Sequence, residues 1–444
     1  MVEPTGIARS RNLYRKAAMV ACLFSRKRDV MARIVRGAAL AFATATAMAL
    51  AGCSGGGDGP GDGGEVEVDW FTTAGSEAEK AVWEEVASIA SEENEGLTVS
   101  LSTAAWPDYW TKLPTVIRGN GAPCVAYFQM ARLAPFAPSL MPLDDAALET
   151  AGIDTSEFDS SIIDAMKVDG ELYAIPYDLG PYIMYYNKDL FESAGAPVPE
   201  AGWTVEDFVE AGKAVTGDGV YGFSVSQNAE RFNAWLPTLT GELLVNEDYE
   251  LDADNADVVE ALEWYAGLVG DEQIASPVSS STQDLEQQAF LSGNAAMYVD
   301  GPWAMVNLKE NAPFELGTVT MPVGPGGGGT VVGGSGFAIT KTCANPDEAL
   351  KALASITGAE AEEYLGETGR AFPARTAQQP SWYGNAVPDA EETLPAALES
   401  GIGYRATPTW VEDAVLWQQG IVGVLNGDSD AEQFLTDFQD SAGS

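Results

Sequence analysis

Histidine is absent from all 444 residues. Its absence excludes Ser-His-Asp and Cys-His catalysis and every histidine-ligated zinc site. Basic residues are scarce as well: 23 Lys and Arg stand against 66 Asp and Glu, for a formal net charge of -43. Such a surplus repels phosphate backbones and anionic lipid surfaces, so nucleic acid is not expected as a partner. With no histidine and no clustered cysteine, no metal or other cofactor is expected either. The glycine-rich run from Val323 to Gly334 lacks the Gly-Lys-Ser/Thr ending of a phosphate loop, which argues against nucleotide binding. What is present is ordinary globular composition, with 46% hydrophobic and 20% charged residues. At roughly 150 residues per domain the length suggests two or three domains.

The charge is unevenly spread. Residues 1–52 hold nine of the basic residues and only two acids, Glu3 and Asp29, so the remainder carries 14 basic and 64 acidic residues. From Met31 the chain reads as two arginines, an uncharged small-and-apolar run from Gly37 to Ala49, and then Leu50-Ala51-Gly52-Cys53. A positive stub, an apolar stretch shorter than the ~20 residues that span a bilayer, and small residues before a cut point read as an export signal, with Met31 as the expected start. Leu-Ala-Gly-Cys resembles the lipobox of bacterial lipoproteins, which implies lipidation of Cys53 and anchoring on the extracellular face of the cytoplasmic membrane. Residues 53–64 then form a glycine-dense, flexible linker.

The body opens on the alternating strand Val66 to Trp70. Ser76 and Glu79 follow in capping-box spacing, before Val82, Trp83, Val86, Ile89 and Ala90 at helical intervals. Leu97 to Leu101 is a strand, a helix is expected near Asp108 to Arg118, and Cys124 to Phe128 is a further strand. Alternating strands and helices build parallel sheets whose ligands gather beyond the strands' carboxyl ends. Pro176, Gly180 and Pro181 interrupt the strand signal at Leu172 to Tyr186, so the chain is expected to bend or cross between bodies at Tyr177 to Pro181. Thr204 starts a helix carrying Val205, Phe208 and Val209.

GELYAIPYDLGPYIMYYNKDLFESAGAPVPEAGWTVEDFVEAGKAV (Gly170 to Val215) resembles the central signature of the solute-binding proteins of sugar-importing ABC transporters, the maltose-binding-protein-like family. AFLSGNAAMYVDGPW (Ala289 to Trp303), GGSGFAIT (Gly333 to Thr340) and the segment Thr407 to Phe438 agree in order and approximate spacing. One departure is Cys124, where the family usually shows aspartate after Gly-x-Pro. The resemblance implies an α/β, two-lobed, type II periplasmic-binding-protein-like fold, each lobe a mixed sheet flanked by helices with a hinge between. Lobe one would comprise 65–178 plus 335–385, and lobe two 179–334 plus 386–444. The implied partners are a sugar, the permease subunits of an importer, and the membrane through Cys53, with the protein a monomer. Cys124 and Cys343 fall in the same lobe and either bridge or remain two buried thiols.

A sugar offers apolar C-H faces and a rim of hydroxyls, so its site needs flat aromatic rings and aimed polar groups. The aromatic candidates at element ends are Phe71, Trp106, Phe128, Tyr177, Tyr182, Trp235, Trp303, Phe372, Tyr404 and Trp410. The polar candidates are Glu77, Gln129, Asp178, Asp300, Ser335 and Arg370, and Gly334 lets backbone approach the ligand. Each has a plainer alternative: Asp300 as a helix cap, Glu77 as a carboxylate at a helix start, Asp178 as an exposed acid, and Gly333 to Gly336 as turn chemistry. Tyr185, Tyr186, Trp264 and Trp417 read as core, and Trp83 and Trp203 as structural. The expected function is binding without chemistry. The alternatives are the same fold holding a peptide or polyamine, and a secreted glycoside hydrolase with paired carboxylates.

Overall fold

The computed structural model describes residues 66–442 except residue 120 and residues 280–284. The leader, Cys53 and the linker lie outside the described residues. Strand β1 (Val66–Thr73) leads into helix α1 (Glu77–Glu93), then β2 (Leu97–Ala104), α2 (Trp106–Val116) and β3 (Val125–Gln129). β1 runs parallel to β2 on one side and to β3 on the other. Ser76 caps α1 by accepting from the Glu79 backbone N–H at 3.1 Å. The reciprocal half of the expected capping box differs, because the Glu79 carboxylate accepts from Gly75 N at 2.5 Å, one residue before the cap. Trp83, Val86, Ala87 and Ala90 bury one face of α1.

β4 (Ala174–Pro181) is one strand through both prolines, and the chain reaches the second sheet at β5 (Ile183–Asn187), with only Tyr182 between them. A bulge opposite Ser335/Gly336 absorbs the irregularity that the prolines introduce. Further along come α3 (Val205–Val215), β6 (Tyr221–Phe223), β7 (Ala295–Asp300), β8 (Leu316–Val319), the long β9 (Thr330–Ile339), β10 (Gly401–Gly403) and α4 (Trp410–Leu425). Thr204 and Asp207 close a complete capping box on α3.

β9 ties the first sheet together. It pairs antiparallel with β3 on one edge and with β4 on the other, and parallel with β10. The first sheet therefore has the order β10-β9-β3-β1-β2, with β4 against β9, and the second is β8-β5-β7-β6. Cys124, just before β3, and Cys343, just after β9, are joined by a disulfide. Thr340 reinforces the same corner, its backbone N–H donating to Cys124 O at 3.0 Å and its hydroxyl to Pro123 O at 2.8 Å. Trp83, Trp203, Tyr185, Tyr186 and Trp417 are buried. Trp264 is half-buried and packs against Trp235. Among the described residues no helix is long and apolar enough to cross a membrane.

Candidate functional site

A cleft of about 750 Å³ opens where strands of the two sheets end. One wall belongs to the first sheet. Along β3 the side chains alternate, so Tyr127 and Gln129 line the cleft while Phe128 turns away and packs on Phe136. The Tyr127 hydroxyl lies 2.8 Å from Ser335 Oγ on β9. Ser335 donates its backbone N–H to Asp178 Oδ1 at 2.6 Å. β4 and β9 can approach this closely because residue 334 is glycine: a Cβ there would lie 2.4 Å from Asp178 O.

Burial pushes the Asp178 carboxyl up to about 6, the nearby Arg370 guanidinium opposing the shift only in part. Arg370 stacks over Trp83 at 4.9 Å, and its Nε has no hydrogen-bond partner among the described residues. Arg132 stacks in the same way over Trp110 at 4.9 Å. Neither arginine has an ion pair among the described residues, so both guanidinium groups of this wall stand ready for acceptor oxygens. Trp106, at the start of α2, is 41% exposed beside the Tyr127 ring.

The facing wall comes from the second sheet. β6 and β7 are parallel, so their carboxyl ends emerge together: Gln227 to Arg231 after β6, Asp300 at the end of β7. Trp303 follows Asp300 and is 45% exposed, edge-on to Tyr182 at 5.3 Å. On α4, Val411, Ala414, Val415 and Gln418 form a helical stripe along the cleft, while Trp410, Asp413 and Trp417 point into the core.

Of the residues expected from the sequence, Trp106, Gln129, Tyr177, Asp178, Tyr182, Asp300, Trp303, Gly334, Ser335 and Arg370 come together in this cleft. Seven do not, among them Phe372, buried against Trp382, and the buried Tyr404. Phe71 stacks on Tyr109 at 4.5 Å, and Phe128 is wholly buried. Glu77 is exposed two residues before the lining residue Glu79, on a different side of the helix. Trp235 is fully buried against Phe208 and Phe223, and Trp410 packs on Tyr404. Asp300 is not a helix cap: Gly301 holds that position before Pro302–Ala304. Tyr127, Arg132, Glu230, Arg231 and Glu286 line the cleft without having been singled out from the sequence.

A family model for bacterial extracellular solute-binding proteins matches residues 85–396. The lactose-binding protein of Rhizobium radiobacter is 29% identical over 231 residues, spanning 49% of this chain and 54% of that protein. Among solved structures, the ABC substrate-binding protein Lmo0181 from Listeria monocytogenes, in complex with cycloalternan, superposes with a TM-score of 0.75 at 24% identity, covering 84% of this chain and 97% of that one. The GacH receptor of Streptomyces glaucescens, determined unliganded and in complex with acarbose, gives a TM-score of 0.70 at 24% identity, covering 85% and 98%. Fold, cleft and family match agree, and the chain belongs to the bacterial extracellular solute-binding protein family.

Proposed function

We propose that this protein is the substrate-binding component of an ABC importer and that it holds a sugar in the cleft, closes its two lobes over it and delivers it unaltered to permease subunits. The observation that carries the reading is the pairing of two half-exposed indole rings, Trp106 and Trp303, with polar groups of both kinds: Arg132 and Arg370 as donors, Asp178 and Glu230 as acceptors. Flat rings match the C-H faces of a pyranose, and matched donors and acceptors avoid the ~1–3 kcal/mol cost of each buried hydroxyl left unpaired. The names of relatives support the same ligand class, since those proteins bind lactose, cycloalternan and acarbose. Binding without chemistry is favoured over hydrolysis because the matching family and the similar structures are binding proteins, and Asp300 has its oxygens fully engaged within the protein, which leaves fewer carboxylates free.

Titration calorimetry with maltotriose, lactose and arabinotriose, paired with small-angle scattering, tests this. Saturable heat with at least one sugar and a smaller radius of gyration on binding are expected. Release of reducing ends would favour the hydrolase, and heat only with peptides or polyamines would move the ligand out of the sugar class.

We also propose that the mature chain is a monomer held at the extracellular face of the cytoplasmic membrane by a lipid on Cys53. The support is the Leu50-Ala51-Gly52-Cys53 sequence ahead of a glycine-rich spacer. Cys53→Ser is expected to leave the protein unlipidated and released into the medium, measured by fractionation and intact mass. Retention in the membrane fraction would refute the anchor.

A further inference from the structure

The two walls of the cleft use their charges differently. Arg132 and Arg370 face it without ion pairs among the described residues, whereas Arg231 is tied into a buried network. Its Nη1 donates to Glu286 Oε1 at 2.9 Å, and its Nη2 donates to both Tyr298 Oη and Asp300 Oδ2 at 2.9 Å. Glu286 accepts in addition from the Ser226 hydroxyl at 2.8 Å.

Asp300 is the hub. Its Oδ2 accepts from Arg231 and from the Tyr298 hydroxyl, and its Oδ1 accepts from Gly301 N at 2.9 Å and from the Trp303 indole N–H at 2.7 Å. A carboxylate offers about four lone-pair positions. All four are filled from within the protein, so a ligand hydroxyl could bond Asp300 only by displacing one of these donors. One of the four donors is the ring that faces the ligand.

Trp303 is held on its other sides by close backbone. A Cβ at Gly301 would lie 2.3 Å from Trp303 Cη2, and one at Gly180 3.3 Å from Trp303 Cζ3. The indole is thus seated against two glycines, braced by the Tyr182 edge and tethered through its N–H, with 45% of its surface left open.

We infer that Arg231 and Asp300 are positioning residues, which act on ligand affinity by fixing the plane of the Trp303 ring and do not touch the ligand themselves. Arg231 holds the carboxylate, the carboxylate holds the indole, and the ring meets the ligand already ordered. Ordering an untethered side chain on binding weakens affinity by about 3- to 10-fold, and the tether removes that loss. The inference rests on the reading of Trp303 as a sugar-stacking face.

The test measures Asp300→Ala, Asp300→Asn and Arg231→Lys in the wild-type and Trp303→Phe backgrounds, with maltotriose, lactose and arabinotriose as probes. The indole N–H resonance of ligand-free protein, assigned by its loss in Trp303→Phe, is the second readout. Asp300→Ala is expected to weaken binding about 3- to 10-fold and to move the Trp303 indole signal toward the position of a solvent-exposed indole. Asp300→Asn, which keeps an oxygen acceptor, is expected to recover most of both. In the Trp303→Phe background, which has no indole N–H to tether, Asp300→Ala is expected to cost less than about 2-fold further, since coupled residues are non-additive. An equal loss in both backgrounds, or an indole signal that Asp300→Ala leaves in place, would overturn the inference. Should Asp300→Ala fail to fold, Arg231→Lys across the two backgrounds decides in the same way. If none of the three sugars binds the wild type, the sugar reading fails separately, and the indole signal alone decides the positioning.

Discussion

Replacing Cys124 and Cys343 together by serine is expected to lower the free energy of unfolding by about 2–5 kcal/mol. The two residues are 219 apart in sequence. Their bond therefore closes a loop that contains all four strands of the second sheet and removes a large share of the denatured chain's conformational freedom. The chain-entropy relation gives roughly 5 kcal/mol for a loop of that length, and residual structure in the denatured state reduces the measured value. The native fold should survive, because β3 and β9 keep their five paired positions from Ser335↔Gln129 to Ile339↔Val125. The cleft should survive with it, since Ser335 and Gln129 lie at the far end of that ladder from the disulfide. Urea unfolding of the wild type and the double variant measures the effect. Unfolding free energies that agree to within about 0.5 kcal/mol would mean that the bond contributes nothing to stability, whereas equal sugar affinity in the two proteins is the expected companion result.

The architecture was legible because strands and helices alternate with clear periodicity and because four segments resemble one family over nearly the whole body. The cleft was legible in part, and the misses have physical causes. On β3 the bulk of Phe128 suggests a ligand face, but side chains alternate across a strand, and Gln129 in the cleft requires Tyr127 on the same side. On α4 the sequence draws attention to Trp410. The apolar stripe of Trp410, Trp417, Ile421 and Val424 is the buried face, and the residues offset from it, Val411, Ala414, Val415 and Gln418, face the ligand space. Trp235 sits in an aromatic core with Phe208, Phe223 and Trp264, a cluster assembled from segments distant in sequence that periodicity within one element cannot reveal. Arg231 could have been found. The polar run Ser226-Gln227-Asn228 follows a strand, and ligands collect beyond strand ends. What no local pattern discloses is that Arg231 meets Asp300, 69 residues later.

Asp178 is expected to give both stability and sugar affinity a pH dependence centred near 6. Its carboxyl is pushed up from 3.8 to about 6, first by burial. A carboxyl whose pKa is higher folded than unfolded holds its proton more tightly in the native state, so its contribution to stability is full below about pH 3.8 and is lost as the pH rises through 6. Between pH 4.5 and 7.5 that loss comes to about 2 kcal/mol. Asp178→Asn carries no such charge, so its unfolding free energy relative to wild type should rise by that amount over the same interval in urea titrations at the two pH values. Binding runs in the opposite sense. Ser335 N–H and Arg370 keep their donor character across this range, whereas Asp178 becomes a pure acceptor only when ionised. If a sugar hydroxyl donates to it, wild-type affinity should fall by up to about tenfold from pH 7.5 to pH 5, while Asp178→Asn binds more weakly at pH 7.5 and stays level. A wild-type affinity that is flat across this range, together with an unchanged affinity in Asp178→Asn, would remove Asp178 from the ligand contacts and leave it as the brace between β4 and β9.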